Sequence, residues 1–446
     1  MLFPLLILCP FLIEGQIITT VAGDGIGGDS GNNGPATSAE IYYPTYVVFD
    51  SHGNFYFTEN NHNKVRKVTA CGTISTIAGT GVAGFSGDGN AATIAELNGA
   101  IGLAIDKFDN VYINDFLNYR IRKIDAVTGI INTFAGNGVS GFGGDNGPAT
   151  AASISDGADV ACDTFGDLYI SDHLNNRIRK VDKYGIITTY AGTGIAGYTG
   201  DEGPANSAEI NSPVAVVCDL SGNLYFSDNN NVRFRRIDIL TKVITTIAGN
   251  GLIGFSGDGG PATSAEFWSG GGVICVDTSG NLYIADEHNQ RIRKVDKAGN
   301  IYTAVGNGTS GFSGDGGSAL AANIYDPEGV ACDIFGNLYI ADFANHRIRK
   351  VTYEPFGLCP SFVENVFLSN DGLNVYPMPT NAILNIDNIK TPSTYQITSI
   401  VGSTLQQGTL QQGNNTISIR SLPSGISLLE LLTEEKEKTV RKIIKQ

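Results

Sequence analysis

The 446-residue chain is poor in charge and in long hydrophobic runs, and each shortage excludes a class of protein. Charged residues make up 16%, and 44 acidic against 29 basic side chains leave a formal charge of -15, which disfavours nucleic acid as a partner. The apolar run from Met1 to Ile13 is too short to span a bilayer. Glu14 and Gly15 follow it, so residues 1–15 are predicted to be a signal peptide, with no transmembrane segment in the mature protein.

Signatures of catalysis are also scarce. No Gly-x-Ser-x-Gly elbow or paired-carboxylate motif stands out. A zinc site would need three histidines to converge from separate parts of the fold, because none is spaced as a metal motif. We expect no catalytic residues, no metal ligands and no cofactor, and a non-enzymatic role is favoured over an enzymatic one. The histidines are His52, His62, His173, His288 and His346.

Glycine, in contrast, is abundant, and it accompanies an internal repeat. The 57 glycines and 42% hydrophobic residues are typical of an all-β protein rich in turns. One tyrosine recurs with successive spacings of 56, 57, 56, 58 and 56 residues, a period that indicates the blades of a β-propeller. The repeat tyrosines are Tyr56, Tyr112, Tyr169, Tyr225, Tyr283 and Tyr339.

Each repeat contains four short strands, which we call a to d. In the fourth repeat they are predicted at Val214 to Asp219, Asn223 to Ser227, Arg233 to Asp238 and Val243 to Ala248. The sixth repeat lacks strand d, but an unpaired copy, Ile17 to Gly23, opens the mature chain. We therefore predict that the N-terminal strand closes the last blade, so that the ring has no open seam.

The repeat resembles the NHL-repeat family. The resemblance is carried by Gly336-Asn337-Leu338-Tyr339-Ile340-Ala341-Asp342, by Asn345-His346-Arg347-Ile348-Arg349-Lys350-Val351, and by the Gly-rich loop from Ala248 to Thr263. It implies a six-bladed propeller over residues 16–352 that acts as a binding or adhesion module for a glycan, a peptide or a protein. A minority of related propellers are lyases or lactonases, so the alternative is a lyase or hydrolase with a metal at the channel mouth.

A different unit follows the repeats. After a linker over residues 353–374, residues 375–446 carry Val375-Tyr376-Pro377-Met378-Pro379, Leu422-Pro423-Ser424-Gly425-Ile426 and a basic C-terminus. They resemble a type IX secretion C-terminal sorting domain, which implies a small Ig-like sandwich that binds the secretion translocon. The resemblance places the protein in the medium or on the outer-membrane surface of a Gram-negative bacterium. The alternative is an unrelated small β-sandwich.

Two recurring sets of polar residues have functional and structural interpretations. An aspartate in each Gly-rich loop could bind calcium, but a carboxylate accepting N–H bonds from its own loop explains it better. Paired cations on strand c, such as Arg177 and Arg179, could cradle an anion, but bonds to aspartates such as Asp172 explain them better. The loop aspartates are Asp88, Asp145, Asp201, Asp258 and Asp315.

Four of the seven cysteines follow the repeat. Cys162, Cys218 and Cys332 stand one residue before a repeat aspartate and Cys275 stands two before its own, and we expect blade symmetry to keep these four too far apart for a disulfide. Cys71 and Cys359 lie at the two sides of the predicted seam and are a possible disulfide in an oxidising compartment.

The candidate ligand site comes from positions where the blades differ, since repeated residues serve the fold. These departures cluster just before strand a, the innermost strand, and should ring the channel mouth. Aromatic platforms with carboxylates and amides suit a glycan or a peptide with basic groups; the alternative is that loop residues are weakly constrained. The candidates are Tyr42, Tyr46, Asn98, Asp156, Asp159, Trp268, Tyr325, Asp326 and Glu328, with Tyr43 nearby.

Overall fold

The computed structural model describes residues 16–353, 374–376, 383–389, 392–399, 404–419, 425–433 and 438–445. The chain divides into two compact units between Glu354 and Pro355. The predicted signal peptide and Cys359, and with it the Cys71–Cys359 pairing, lie outside the described residues. Within the described ranges, no helix combines the length and apolar character needed to cross a bilayer.

The first unit is a ring of six antiparallel sheets, as predicted. Each blade runs a to d outward, and only blade 6 takes its strand d from elsewhere in the chain. In blades 1 to 3, strands a to d are Pro44–Phe49, Phe55–Glu59, Lys64–Val68, Ile74–Ala78; Ala100–Ile105, Val111–Asp115, Arg120–Ile124, Ile130–Ala135; and Gly157–Cys162, Leu168–Asp172, Arg177–Val181, Ile186–Ala191. In blades 4 to 6 they are Pro213–Cys218, Leu224–Asp228, Arg233–Ile237, Ile244–Ala248; Ile274–Val276, Leu282–Asp286, Arg291–Val295, Ile301–Val305; and Pro327–Cys332, Leu338–Asp342, Arg347–Tyr353, Gln16–Ala22.

Short 3-10 helices mark the loops on one face of the ring. One set forms the b–c turns: Asn60–His62, Phe116–Asn118, His173–Asn175, Asn229–Asn231, Glu287–Asn289 and Phe343–Asn345. The other set lies in the d–a loops: Ala36–Ser38, Ala92–Ile94, Ala149–Ala151, Ala205–Ser207, Ala262–Ser264 and Ala319–Ala321. Two-residue strands at Asn90–Ala91, Gly147–Pro148 and Gly317–Ser318 pair with the outer edges of three blades.

The N-terminal strand closes blade 6, which confirms the predicted fastener. Ile18 pairs with Val351 and Thr20 with Arg349, antiparallel. Ile18 is fully buried in the core between blades 5 and 6. Both ends of the propeller chain therefore meet in one sheet, so unfolding the ring requires this strand to detach.

A buried arginine in every strand c explains the repeated charged residues. Arg179 is fully buried and donates to Asp172 of its own blade at 3.1 Å and to Asp145 of the preceding Gly-rich loop at 2.7 Å. The neighbouring Arg177 donates to backbone carbonyls and stacks on Phe142. The structural interpretation of these arginines holds, with one difference: the loop aspartates accept mainly from the arginine of the next blade rather than from their own loop. Equivalent bonds join Arg122 to Asp88, Arg235 to Asp201, Arg293 to Asp258 and Arg349 to Asp315.

The inner strands line a cavity of about 270 Å³ along the ring axis. Its wall is apolar apart from Tyr46, Asp159 and four cysteines. The expectation that the cysteines stay apart is wrong, because the Sγ atoms of Cys275 and Cys332 lie 2.8 Å from each other. Strands a converge at the axis, so residues one repeat apart can touch there.

The second unit contains two antiparallel sheets. One has the strand order Asn374–Tyr376, Ile383–Ile389, Gly413–Ser418, and the other Thr404–Leu410, Ser393–Ser399, Gly425–Thr433, Lys438–Lys445. Side chains from both sheets, including Leu384, Ile417, Ile397 and Leu429, share one buried core. This is the small β-sandwich that the sequence predicts.

Candidate functional site

The channel mouth lies on the face formed by the b–c turns and the d–a loops, where each strand a begins. Three strand a residues interrupt an otherwise small or apolar lining here: Tyr46 of blade 1, Asp159 of blade 3 and Glu328 of blade 6. Tyr46 and Asp159 are only 8% and 4% exposed. The sequence prediction that these positions converge is consistent with their electrostatics, because burial, Asp159 and Glu328 all raise the pKa of the Tyr46 hydroxyl.

Asp159 is held by the backbone of two blades. Its carboxylate accepts from its neighbour Val160 N–H at 2.8 Å and from Val216 N–H of blade 4 at 3.0 Å. Gly102 of blade 2 makes room for it, since a Cβ at that glycine would lie 2.6 Å from the Asp159 Cα. Burial raises the pKa of Asp159 well above its usual value, although both backbone bonds oppose the shift.

Among the described residues, the Glu328 carboxylate has neither a hydrogen bond nor a salt bridge that would compensate its charge. Burial, followed by the nearby Glu287 and Asp326 carboxylates, raises its pKa to about 8. Among the residues that the structure describes, no salt bridge involves Glu328, Asp326 or Asp159. The mouth therefore concentrates acidic groups without a counter-charge, which is an arrangement that favours a cation.

A second group of side chains joins blades 5 and 6. Glu287 and His288 of the blade 5 turn lie with Asp326 so that one ligand atom from each falls within 4.8 Å of the others. His288 Nδ1 is 3.2 Å from Glu287, and the Trp268 ring stacks on His288 at 5.4 Å. The predicted residues Trp268 and Asp326 therefore form one acidic and aromatic cluster on the rim together with Glu287 and His288.

An aromatic cluster joins blades 6 and 1. Tyr42 is stacked between His62 at 4.4 Å and His346 at 5.6 Å. Tyr43 packs edge-on against Tyr42 and also contacts Phe343. Burial lowers the pKa of both histidines, which favours neutral rings in the stack.

Several non-glycine residues of the rim adopt left-handed backbone geometry. Tyr43, Asp156 and Asp326 have φ values of 46, 43 and 46°, at a position where blade 2 has Gly99. Such a conformation costs about 1 kcal/mol or more for a residue with a side chain. Tyrosine and aspartate thus occupy this position at a conformational cost that glycine would avoid.

The remaining candidates have weaker cases. The backbone N–H groups of Asn98 and Tyr325 donate to the repeat aspartates Asp115 and Asp342, a bond that recurs around the ring. Their side chains sit on the rim, and Tyr325 is 41% exposed. Asp156 lies near His173, whose pKa it raises against the larger lowering by burial.

Sequence reasoning missed the partners contributed by the b–c turns. His62, Glu287, His288, Phe343 and His346 all come from these turns. The signal was available, because these positions also differ between blades. The repeat pattern alone does not show that the b–c turn of one blade contacts the d–a loop of the next, which is how Glu287 of blade 5 meets Asp326 of blade 6.

A third group, Asp29, Glu59 and His62, also converges but serves the fold. Glu59 is fully buried, pairs with Arg66 at 3.1 Å and accepts from the Tyr42 N–H. Asp29 pairs with Lys64. Their oxygen atoms are thus already engaged, unlike the carboxylate of Glu328.

The C-terminal residues 374–446 match the family model of the secretion system C-terminal sorting domain. The chain therefore carries the type IX sorting domain predicted from its motifs. A domain of this kind directs the protein to the cell surface or into the medium of a Gram-negative bacterium.

Similarity over the propeller is more distant. The chain is 26% identical to SUPPRESSOR OF QUENCHING 1 of Arabidopsis thaliana, over 72% of this chain and 31% of that protein. It is 24% identical to human Teneurin-1, over 75% of this chain and 13% of that protein. The chain thus spans less than a third of these relatives. An auxiliary nutrient binding protein of Bacteroides thetaiotaomicron shares the fold, with a TM-score of 0.56, 18% identity, and coverage of 77% of this chain and 78% of that one.

Proposed function

We propose that this exported propeller is a binding module whose channel mouth takes a cationic group of a glycan or peptide. The ligand would place a protonated amine or a guanidinium against Glu328 and its acidic neighbours. Its sugar or apolar part would rest on the exposed rim aromatics, Trp268 and Tyr325. A similar fold in a protein described as an auxiliary nutrient binding protein is in keeping with a role in capture.

The observation that carries the proposal is the uncompensated carboxylate of Glu328. The buried repeat carboxylates Asp172 and Asp228 each have an arginine within 3.1 Å. Glu328 has two acidic neighbours instead. A charged carboxylate at Glu328 lowers the stability of the free protein. A cation supplied by a ligand would remove that cost, so binding gives a physical reason for a glutamate at this position.

A glycan and peptide array probed with the full exported protein tests the proposal. Glu328→Gln keeps the shape of the side chain and removes its charge, so it should lose binding to amine-bearing ligands while retaining the fold. Glu202→Gln, on an exposed loop of blade 4, is the matched control and should bind like the original protein. Equal binding of amine-bearing ligands by the Glu328 variant and the original protein would refute the proposed site.

A second candidate is a metal-dependent lyase or hydrolase, favoured by the convergence of Glu287, His288 and Asp326. Two carboxylates and one imidazole suit a borderline divalent ion. Trp268 is the sole tryptophan and stacks on His288, so its fluorescence should report metal binding directly. Titration with Zn²⁺ or Mn²⁺ should change that emission in the original protein but not in His288→Ala if this candidate is correct. An unchanged emission, with no metal in the purified protein, would exclude it.

A further inference from the structure

One blade contact differs from the other five in the residues that face each other at the channel wall. At the end of each strand a, the residue two before the repeat aspartate packs against strand a of the next blade, at the residue one before that blade's repeat aspartate. The two positions are adjacent in sequence, so their side chains point to opposite faces of the sheet. From the blade 1–2 contact onward, these two residues belong to one hydrophobic cluster at each contact: Val48 with Ile105, Ala104 with Cys162, Ala161 with Cys218, Val217 with Val276, Cys275 with Cys332, and Ala331 with Phe49.

Only the contact between blades 5 and 6 brings two cysteines together. Cys275 pairs in register with Tyr283, whereas Cys332 pairs with Leu338, so the two thiols belong to the two different positions. This one-residue offset turns Cys275 toward the next blade. Their Sγ atoms are 2.8 Å apart across the contact. At the equivalent contacts, Cys162 and Cys218 pack against clusters in which Ala104 and Ala161 hold the other position.

We propose that Cys275 and Cys332 form a disulfide in the exported protein. The two thiols lose two protons and two electrons, and one S–S bond forms. The electrons pass by two thiol–disulfide exchange steps to the disulfide of an envelope oxidoreductase, which is reduced to a dithiol. The sorting domain supports this chemistry, because the protein passes through compartments outside the reducing cytosol.

The cross-link lies where the ring is least supported by hydrogen bonds. Strand a of blade 5 has three residues, Ile274–Val276, whereas each of the other five inner strands has six. The glycine run Gly270 to Gly272 precedes it, and a Cβ at Gly272 would lie 2.0 Å from the Ala285 carbonyl oxygen, so a side chain does not fit there. A bond from Cys275 to Cys332 fastens this short strand to blade 6.

The same bond supports the channel mouth. Glu328 and Cys332 belong to one strand, Pro327–Cys332. A bond between the C-terminal end of this strand and blade 5 also fixes the separation between Glu328 and the blade 5 turn that carries Glu287. The disulfide would therefore hold the acidic cluster together without contacting a ligand.

Peptide mapping of the full protein, isolated from the outside of the cell and alkylated without reductant, tests the bond directly. Trypsin places Cys275 in the peptide 243–291 and Cys332 in the peptide 298–347, each with a single cysteine. We expect one joined species, lighter than the sum of both reduced peptides by two hydrogen atoms, which separates on reduction. Both peptides recovered singly and alkylated would overturn the proposal, as would either peptide joined to a Cys162 or Cys218 peptide.

Hydrogen exchange distinguishes a structural bond from incidental oxidation. Reductant should accelerate exchange of residues 273–276 in the original protein. Cys275→Val should exchange fast with or without reductant, and it should still fold, because blades 1 and 4 have Val48 and Val217 at this position. Cys218→Val is the matched control and should keep the response to reductant. If reductant still accelerated hydrogen exchange in the Cys275→Val protein, the proposal would be contradicted.

Discussion

Replacing Glu328 with glutamine should make the protein more stable, by an amount that grows with pH. Burial and two neighbouring carboxylates raise the pKa of Glu328 from 4.5 to about 8 in the folded protein. Below pH 4.5 the carboxyl is protonated in both the folded and the unfolded chain, so it carries no penalty. Above that value the unfolded chain ionises first, and the free energy of unfolding falls as pH rises until the folded group ionises near pH 8.

The magnitude follows from the size of this shift. Each pH unit between the two pKa values costs about 1.4 kcal/mol of stability, so the penalty at pH 7 is at most about 3.5 kcal/mol. With about 2.1 cal/mol/K of unfolding entropy per residue, a propeller of this length should gain about 5 °C in Tm at pH 7. At pH 4 the gain should vanish.

Thermal unfolding and urea unfolding at pH 4, 7 and 9 measure the effect. The Glu328→Gln curve should coincide with that of the original protein at pH 4 and lie above it at pH 7 and 9. Glu202→Gln, an exposed change in charge, should follow the original protein throughout. A difference independent of pH, or one that shrinks as pH rises, would refute the reasoning about an uncompensated carboxylate.

Two further predictions concern the fold. Arg235→Met should lower the free energy of unfolding by about 3 to 5 kcal/mol, because it leaves Asp228 buried without its partner. Arg236→Met on the same strand removes a half-exposed ion pair with Asp238 and should cost about 1 kcal/mol or less. Urea unfolding measures both losses, and equal losses would contradict the role assigned to Arg235. Ile18→Ala should cost about 2 to 5 kcal/mol because Ile18 is fully buried in the closing strand. A negligible loss in calorimetry would show that the ring does not depend on that strand.

The architecture could be predicted from the sequence because the same physical requirement recurs in every blade. Each strand c needs a buried arginine with carboxylates on two sides, and this need produces a pattern that six copies make unmistakable. The closing strand was predictable because one strand was missing at the end and one was left over at the start. Strand bounds in blade 4 agree within two residues.

The partners in the channel mouth could not be predicted as fully, because contacts between blades depend on three-dimensional neighbours. Tyr46 and Asp159 were identifiable as departures from a small-residue position, and Glu328 as a neighbour of that position. Glu287 and His288 were not, since they lie in a different loop of a different blade from Asp326.

The cysteines illustrate the same limit at finer scale. The sequence showed that Cys275 stood one residue out of step with Cys332. Only the convergence of inner strands at the ring axis shows that this offset points the two thiols toward each other. Blade symmetry therefore separates cysteines at equivalent positions of neighbouring blades. It does not separate cysteines at adjacent positions, whose side chains point to opposite faces of their sheets.

The most direct test of the binding role is a titration of the full protein with tri-lysine peptide, followed by calorimetry from pH 6 to pH 9. Ionisation of Glu328 near pH 8 should strengthen binding as pH rises across this range while the lysine amines remain charged. The Glu328→Gln protein should bind more weakly and lose this rise. Affinity that is flat with pH in the original protein, or equal in the two proteins at pH 9, would contradict the account.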